Sequence, residues 1–242
     1  MKNFIVSISF CFLLCSAFAQ PSFMDYQKSF PTVSYASKLK EDTLKKQFSK
    51  LGLQWPPKQI YVRSFKYDSQ MEVWVRNNGN EPYKLFKTYR VCALAGSMGP
   101  KRMEGDYQVP EGFYYITQFN PRSEYHLALK INYPNASDKM LSDSLHPGGG
   151  IFIHGSCVTV GCIPIMDSQI EELYLLAAGA KDNGQDFIPV HIFPIRYNNP
   201  KSVDYLSLTT KADQDIQHFE VNLKQVYDYF EKEKYTHLFY SL

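Results

Sequence analysis

The segment IHGSCVTVGCIPI, Ile153 to Ile165, holds one histidine and two cysteines and follows the glycine run Gly148, Gly149 and Gly150. A thiol becomes a nucleophile when a neighbouring base takes its proton. His154 and Cys162 are eight positions apart, a separation that one folded-back loop closes. In that arrangement His154 takes the thiol proton and returns it to a leaving amine. The amides of Gly161 and Cys162 are candidate donors to a developing oxyanion. A main-chain carbonyl at Gly155 or Ser156 is the candidate for fixing the imidazole ring. Three other readings stand beside this one: a Cys157–Cys162 disulfide, a zinc site on His154, Cys157 and Cys162 with no evident fourth ligand, and inert core thiols. Spacing alone leaves all four open.

Compartment bears on the choice. The chain begins MKNFIVSISFCFLLCSAFAQ, with Lys2, an apolar run from Phe4 to Cys15, and Ala17-Phe18-Ala19 ahead of Gln20. That is the pattern of a secretory signal over residues 1–19, cleaved after Ala19. Leu14 stands where a lipidated Cys15 would need a small residue. The expectation is a protein of the periplasm or cell envelope, with no integral membrane segment after signal removal. Five cysteines then become three, Cys92, Cys157 and Cys162, so at least one thiol is free or pairs between chains. A long chain with so few cysteines argues against a disulfide framework. A formal net charge of +2 on 242 residues gives no footing for nucleic acid.

The elements that must position the site read as a helical preface, a β-rich body and a helical end. Eighteen Tyr and 17 Phe favour the β-rich body. Leu39, Leu44, Phe48 and Leu51 recur at helical spacing and predict an amphipathic helix between Ser37 and Leu51. QIYVRSFKY, MEVWVRNN and PYKLFKTYRVCAL predict three strands separated by turns at Tyr67-Asp68-Ser69 and Asn78-Gly79-Asn80. The stretch from Gly96 to Gly112 has too much Gly and Pro for regular structure. GFYYITQF and EYHLALKINY resume strand character, a loop runs from Pro134 to Gly150, and IFIHG is a short buried strand ending at His154. Ser168 and Glu171 fit a capping box for a helix that Gly179 closes, which puts Cys162 between a strand and a helix. DFIPVHIFPIRY predicts a central strand with prolines at its ends. Phe219, Leu223, Val226, Tyr227 and Phe230 predict a C-terminal helix packed on the sheet.

His154-Gly155 followed by Thr159-Val160-Gly161-Cys162 resembles the HG…S/T-x-G-C signature of YkuD-type L,D-transpeptidases. The longer runs GPKRMEGDYQVPEGFYYI, FNPRSEYHLALKINYPN and GGGIFIHGSCVTVGCIPIMD are similar to the YafK-like branch, and the resemblance extends from about Ile60 to Pro194. It implies an α+β, mainly β fold, a β-sandwich with flanking helices. The organisation expected is a signal at 1–19, an N-terminal helical extension at 20–58, a catalytic domain at 59–198 and a C-terminal helical segment at 199–242. The resemblance also implies a thioester on Cys162 formed from a peptidoglycan stem peptide and resolved by an amine or by water. Neither cofactor nor metal is expected. The partners expected are stem peptides and a wall-attached protein. One departure is plain: the family pattern continues G-C-[VI]-R, whereas Pro164 stands here in place of the arginine, removing a cation that would meet a carboxylate. Hydrolysis, and a non-catalytic wall-binding module, therefore stand as alternatives.

Smaller expectations concern the surroundings. His126 is read as a hydrogen-bonded sheet histidine or, less simply, a groove residue. Lys101, with Arg102 beside it, is a candidate for substrate carboxylates or, more simply, a solvated loop charge. Ser156 and Thr159 either donate to substrate or shape the loop. Cys92 sits in an apolar strand and reads as core. His146, His191, His218 and His237 carry no role.

Overall fold

The computed structural model describes residues 20–236; the expected signal over residues 1–19, and His237, lie outside the described residues. The chain opens with α1 (Phe23–Lys28) and α2 (Pro31–Lys50). The predicted N-terminal helix is thus longer than its apolar spacing indicated, because Pro31 occupies the first turn, where its missing N–H costs nothing. Next come β1 (Gln59–Phe65), β2 (Gln70–Arg76), β3 (Lys84–Arg90), β4 (Gly112–Asn120) and β5 (Ala128–Ile131). The second half of the chain holds α3 (Ala136–Leu141), β6 (Phe152–His154), β7 (Ile163–Pro164), α4 (Asp167–Asp182), β8 (Pro189–Phe193), α5 (Pro200–Thr209) and α6 (Gln214–Glu233). Among the described residues no helix is long and apolar enough to cross a membrane.

Eight strands form one sheet in the order β3-β2-β1-β8-β4-β5-β6-β7. The expected sandwich character comes from β4, which serves two halves. Its first residues, Gly112 to Tyr115, pair with β8, and its later ones, Ile116 to Asn120, pair with β5. The register shifts between Ile116 and Gln118. An extra residue at such a point bends the strand and increases its twist, so the β5-β6-β7 wing curls away from the β3-β2-β1-β8 wing. The fold is therefore a mixed α/β one, a curled eight-stranded sheet with flanking helices.

Both faces of the sheet are covered, which explains why β1 is buried almost throughout rather than alternately. Ile60 and Val62 belong to the main core with Leu44 and Phe48 of α2 and with Leu173 and Leu176 of α4. Tyr61, Arg63 and Phe65 alternate to the other face, where Leu223, Tyr227 and Phe230 of α6 cover them. Arg63 is 1% exposed. Its guanidinium pairs with Glu72 at 2.6 Å and Glu231 at 2.7 Å and lies 4.6 Å from the Phe230 ring centroid, which fastens α6 by charge as well as by apolar area.

Glu220, on the same helix, is buried, with one oxygen lacking a hydrogen-bond partner among the described residues. Burial and the neighbouring Glu111 raise its carboxyl from the ordinary value to about 8. A folded pKa above the unfolded one means that the native chain holds the extra proton. The stabilisation is full below about pH 4.5 and is lost as pH rises through about 8. Glu220→Gln is expected to leave the urea midpoint nearly unchanged at pH 5. At pH 9 it is expected to raise stability over the parent by about 1–3 kcal/mol.

Two sequence expectations about α4 are corrected. Met166 is the N-cap, with φ +66°, and makes no side-chain cap. Ser168 and Glu171 instead meet Lys40 of α2, at 2.6 and 3.6 Å, so a capping-box pattern has been recruited for a tertiary contact. Gly179 does not end the helix. A methyl group there would sit 3.0 Å from Pro56 and 3.1 Å from Pro57, so the glycine permits close packing against the Pro-Pro turn.

Candidate active site

The two expected site residues lie at the far edge of the curled wing. β6 pairs antiparallel with β5 and parallel with β7, with Ile153 opposite Ile163 and His154 opposite Pro164. Successive side chains on a strand point to opposite faces. Ile153 and Ile163 point into the core, fully buried. His154 therefore points to the other face at the end of β6, and Cys162, one residue before β7, sits beside the start of β6 with its thiol near the Phe152 N–H. The sequence placed Cys162 in the connection between a strand and a helix; within that connection a two-residue strand, β7, begins at the next residue and pairs with the histidine strand.

Each group is fixed from behind. The Nδ1 of His154 is 2.6 Å from the Gly155 carbonyl oxygen, so Nδ1–H donates there and Nε2 keeps the lone pair. The Tyr125 ring lies 4.7 Å from the imidazole, centroid to centroid. Gly155 is glycine for want of room: a methyl group would stand 2.6 Å from both the Asp167 carboxylate and the Tyr125 carbonyl. Asp167, which sequence reasoning missed, also accepts the Ser156 N–H at 2.7 Å and so anchors the turn after the histidine. An acid in the first turn of a helix was the available signal.

Cys162 is free and half-buried. Its Sγ lies 3.6 Å from the Gly150 carbonyl oxygen. Burial raises the thiol pKa, opposed by the Phe152 N–H and the charge of Lys101. Burial also lowers the pKa of His154, opposed by the Gly155 bond. Both shifts disfavour the charged forms, so burial favours a neutral thiol and a neutral imidazole at rest. The thiol is not held ionised in advance.

The remaining cysteines correct the sequence reading. Cys92 is bonded to Cys157, with Cα atoms 5.7 Å apart. Cys92 is therefore not an inert core thiol, and Cys157 is available neither to Cys162 nor to a zinc site. The bridge arises because the chain leaving β3 passes beside the turn after β6, where Cys92 N–H donates to the Pro164 carbonyl at 3.0 Å. The loop from Gly155 to Cys162 is thus tied at Cys157. It is tied again by Thr159, whose hydroxyl donates to the Cys162 carbonyl at 2.7 Å and accepts the Gly161 N–H at 3.0 Å. Thr159 shapes the loop, and the Gly161 amide, expected to be a free oxyanion donor, is occupied. Gly161, at φ +144°, lies against the backbone of Gln108.

A cavity of about 220 Å³ opens over Cys162, walled by Lys101, Glu104, Gly105 and Tyr107 and by residues 148–151 and 160–162. The first wall belongs to the loop that the sequence left irregular, and polar side chains hold it from within. The buried ammonium of Lys66 donates to the carbonyls of Ser97 at 2.7 Å, Gly99 at 3.1 Å and Val109 at 3.0 Å, and to Glu111 at 2.8 Å. Lys101 borders the cavity, but its ammonium is nearly buried and committed to Asp106 and to the Met103 carbonyl at 2.7 Å. Arg102 lies over the Phe219 ring of α6. His126 is in the turn ahead of β5, at φ +73°, with its ring 2.9 Å from Glu171; it is not among the residues lining the cavity. His191 has a partner that the sequence did not reveal, the Tyr61 hydroxyl at 2.8 Å, and burial with the charge of Arg63 lowers its pKa to about 3.

The curled α/β sheet ends in β6, which carries His154, and in β7, which Cys162 immediately precedes. The chain belongs to the YkuD L,D-transpeptidase catalytic domain family, whose model matches residues 60–192. It is 32% identical over 175 residues to "Putative L,D-transpeptidase YafK" of Escherichia coli strain K12, covering 72% of this chain and 67% of that protein. The match to the protein of the same name in Escherichia coli O157:H7 has the same extent. Among solved structures, the helical cell shape determining protein Pgp2 from Campylobacter jejuni aligns over 77% of each chain, with a TM-score of 0.46 and 20% identity. Bd1075 of Bdellovibrio bacteriovorus aligns over 75% of this chain and 63% of its own, with a TM-score of 0.41 and 24% identity.

Proposed function

We propose that this protein is an exported cysteine acyltransferase acting on peptidoglycan stem peptides. Cys162 is the nucleophile and His154 the general base and acid. The observation that carries the reading is a free cysteine one residue before β7 and a buried histidine at the end of β6, the strand that β7 pairs with, the histidine's Nδ1 bonded to the Gly155 carbonyl. As Sγ attacks the scissile carbonyl, the S–C bond forms and the thiol proton passes to Nε2 of His154. As the amide C–N bond breaks, that proton goes to the leaving amine. An amine or water then attacks the thioester, the C–S bond breaks and the thiol is restored. With Gly161 engaged by Thr159, the Cys162 amide is the remaining candidate among the two expected oxyanion donors. The Cys92–Cys157 bridge supports export, because such bonds persist in oxidising compartments.

Hydrolysis stays as a second reading for a specific reason. Pro164 replaces the family's arginine, and Lys101 is engaged by Asp106, so the cavity offers no free cation to hold a second, carboxylate-bearing peptide. Incubation of the protein with defined stem peptides, with and without an amine acceptor, followed by mass spectrometry, separates the two. Exchange products mark acyl transfer, and shortened stems alone mark hydrolysis. A thioester trapped on Cys162 and absent from Cys162→Ala is expected in both cases. Failure to detect either reaction or adduct leaves the non-catalytic wall-binding module as the better account.

A further inference from the structure

We infer that Glu104 and Tyr107 form a subsite for an alkylammonium group on the substrate handled at Cys162. This inference rests on the reading of Cys162 as the nucleophile. The cavity beside the thiol is lined by two charged residues, Lys101 and Glu104. The Lys101 side chain is 5% exposed, and its protons are committed to Asp106 and the Met103 carbonyl. Glu104 is exposed, and among the described residues its carboxylate has no hydrogen-bond or ion-pair partner. The free charge that a substrate meets is therefore negative.

Glu104 is also held in place. Its N–H donates to the His146 carbonyl at 2.8 Å, and Gly148 packs so closely that a methyl group there would lie 3.3 Å from the Glu104 Cα. Tyr107, 63% exposed, lines the same cavity. A carboxylate and an exposed aromatic ring lining one cavity suit an alkylammonium ion, through Coulomb attraction from one and the ring quadrupole from the other. An amine acceptor arrives protonated at neutral pH, and a substrate with a basic side chain near the scissile bond presents the same group. The subsite selects such molecules and draws them to the thioester.

The test uses charged thiol reagents, so it does not depend on turnover. Aminoethyl methanethiosulfonate is cationic and sulfonatoethyl methanethiosulfonate is anionic. Each transfers its thioalkyl group to the cysteine thiolate and releases methanesulfinate. Rates at Cys162 are measured on the full chain, with the labelled residue identified by mass, and are divided by the rates for a free thiol in solution. The expected result is a preference of about tenfold for the cationic reagent. Glu104→Gln is expected to bring the preference close to one, and Tyr107→Ala to lower it about two- to fivefold. Equal rates, faster anionic labelling, a preference untouched by Glu104→Gln, or no labelling of Cys162 by either reagent would each overturn the subsite. With amine-bearing stem peptides, Glu104→Gln is expected to raise KM severalfold and to spare kcat. If the parent protein turns over no peptide yet shows the charge preference, the acyl-transfer reading fails and the subsite stands.

Discussion

His154→Ala is expected to lower kcat/KM on stem peptides by a factor of about 10²–10⁴, while alkylation of Cys162 by a small neutral probe changes far less. The split follows from the neutral resting pair. The probe reacts with whatever thiolate the solvent supplies, whereas peptide cleavage needs a base to take the proton and an acid to return it to the leaving amine. A resting thiolate–imidazolium pair predicts the opposite, a large loss of alkylation together with turnover. The pH dependence carries the same sign. Burial lowers the His154 pKa, so its base form persists below the ordinary histidine value of about 6.5. The acid limb of kcat/KM is expected below that value. Burial raises the Cys162 pKa, so the alkylation rate is expected to keep climbing past the pH at which an exposed thiol levels off. An alkylation profile already flat at pH 7 would refute the neutral pair.

The second large effect is expected at the disulfide. Cys92 and Cys157 are 65 residues apart in sequence, and closing a loop of that length in the unfolded chain is worth about 4 kcal/mol in the chain-entropy account. Paired Cys92→Ser and Cys157→Ser substitutions are expected to lower the unfolding free energy by an amount of that order, and dithiol reduction of the parent to do the same. The site is expected to suffer as well, because the bridge holds the Gly155–Cys162 loop against the strand exit. Slower peptide turnover at a temperature where the variant remains folded, judged by circular dichroism, is the measurement. Unchanged stability on full reduction would show that the bridge contributes nothing to this fold.

Local features of the chain were legible in the sequence, and contacts between distant segments were not. His154 at a strand end, Cys162 after a glycine, the paired β1–β2–β3 meander and the apolar stripe of α6 all depend on residues close together in sequence, where alternation and spacing report directly. Cys92–Cys157 depends on where the exit of β3 meets the turn after β6, which no local pattern encodes. Ser168 and Glu171 show the same limit from the other side: a correct local signature was overridden by Lys40 arriving from α2. By sequence Lys101 reads as a partner for carboxylates or a solvated loop charge; it is neither, because it pairs with Asp106 within its own loop. The commitment of the Gly161 amide to Thr159 is a matter of loop geometry, and residue types alone do not contain it.

The position of β8 has a consequence for how the chain reaches this state. The strand lies between β1 and β4, yet it is the last to be synthesised, more than a hundred residues after β1. Until it arrives, the two wings have no shared hydrogen-bond ladder and β1 and β4 each present an open edge. Joining β1 to β8 in parallel closes a long loop before any contact repays it, the kind of step that slows folding and leaves edges exposed meanwhile. A ribosome-bound chain ending before Pro189 thus has the histidine and the cysteine but no joined sheet to hold them. Assembly of the sheet around His154 and Cys162 is coupled to the arrival of β8.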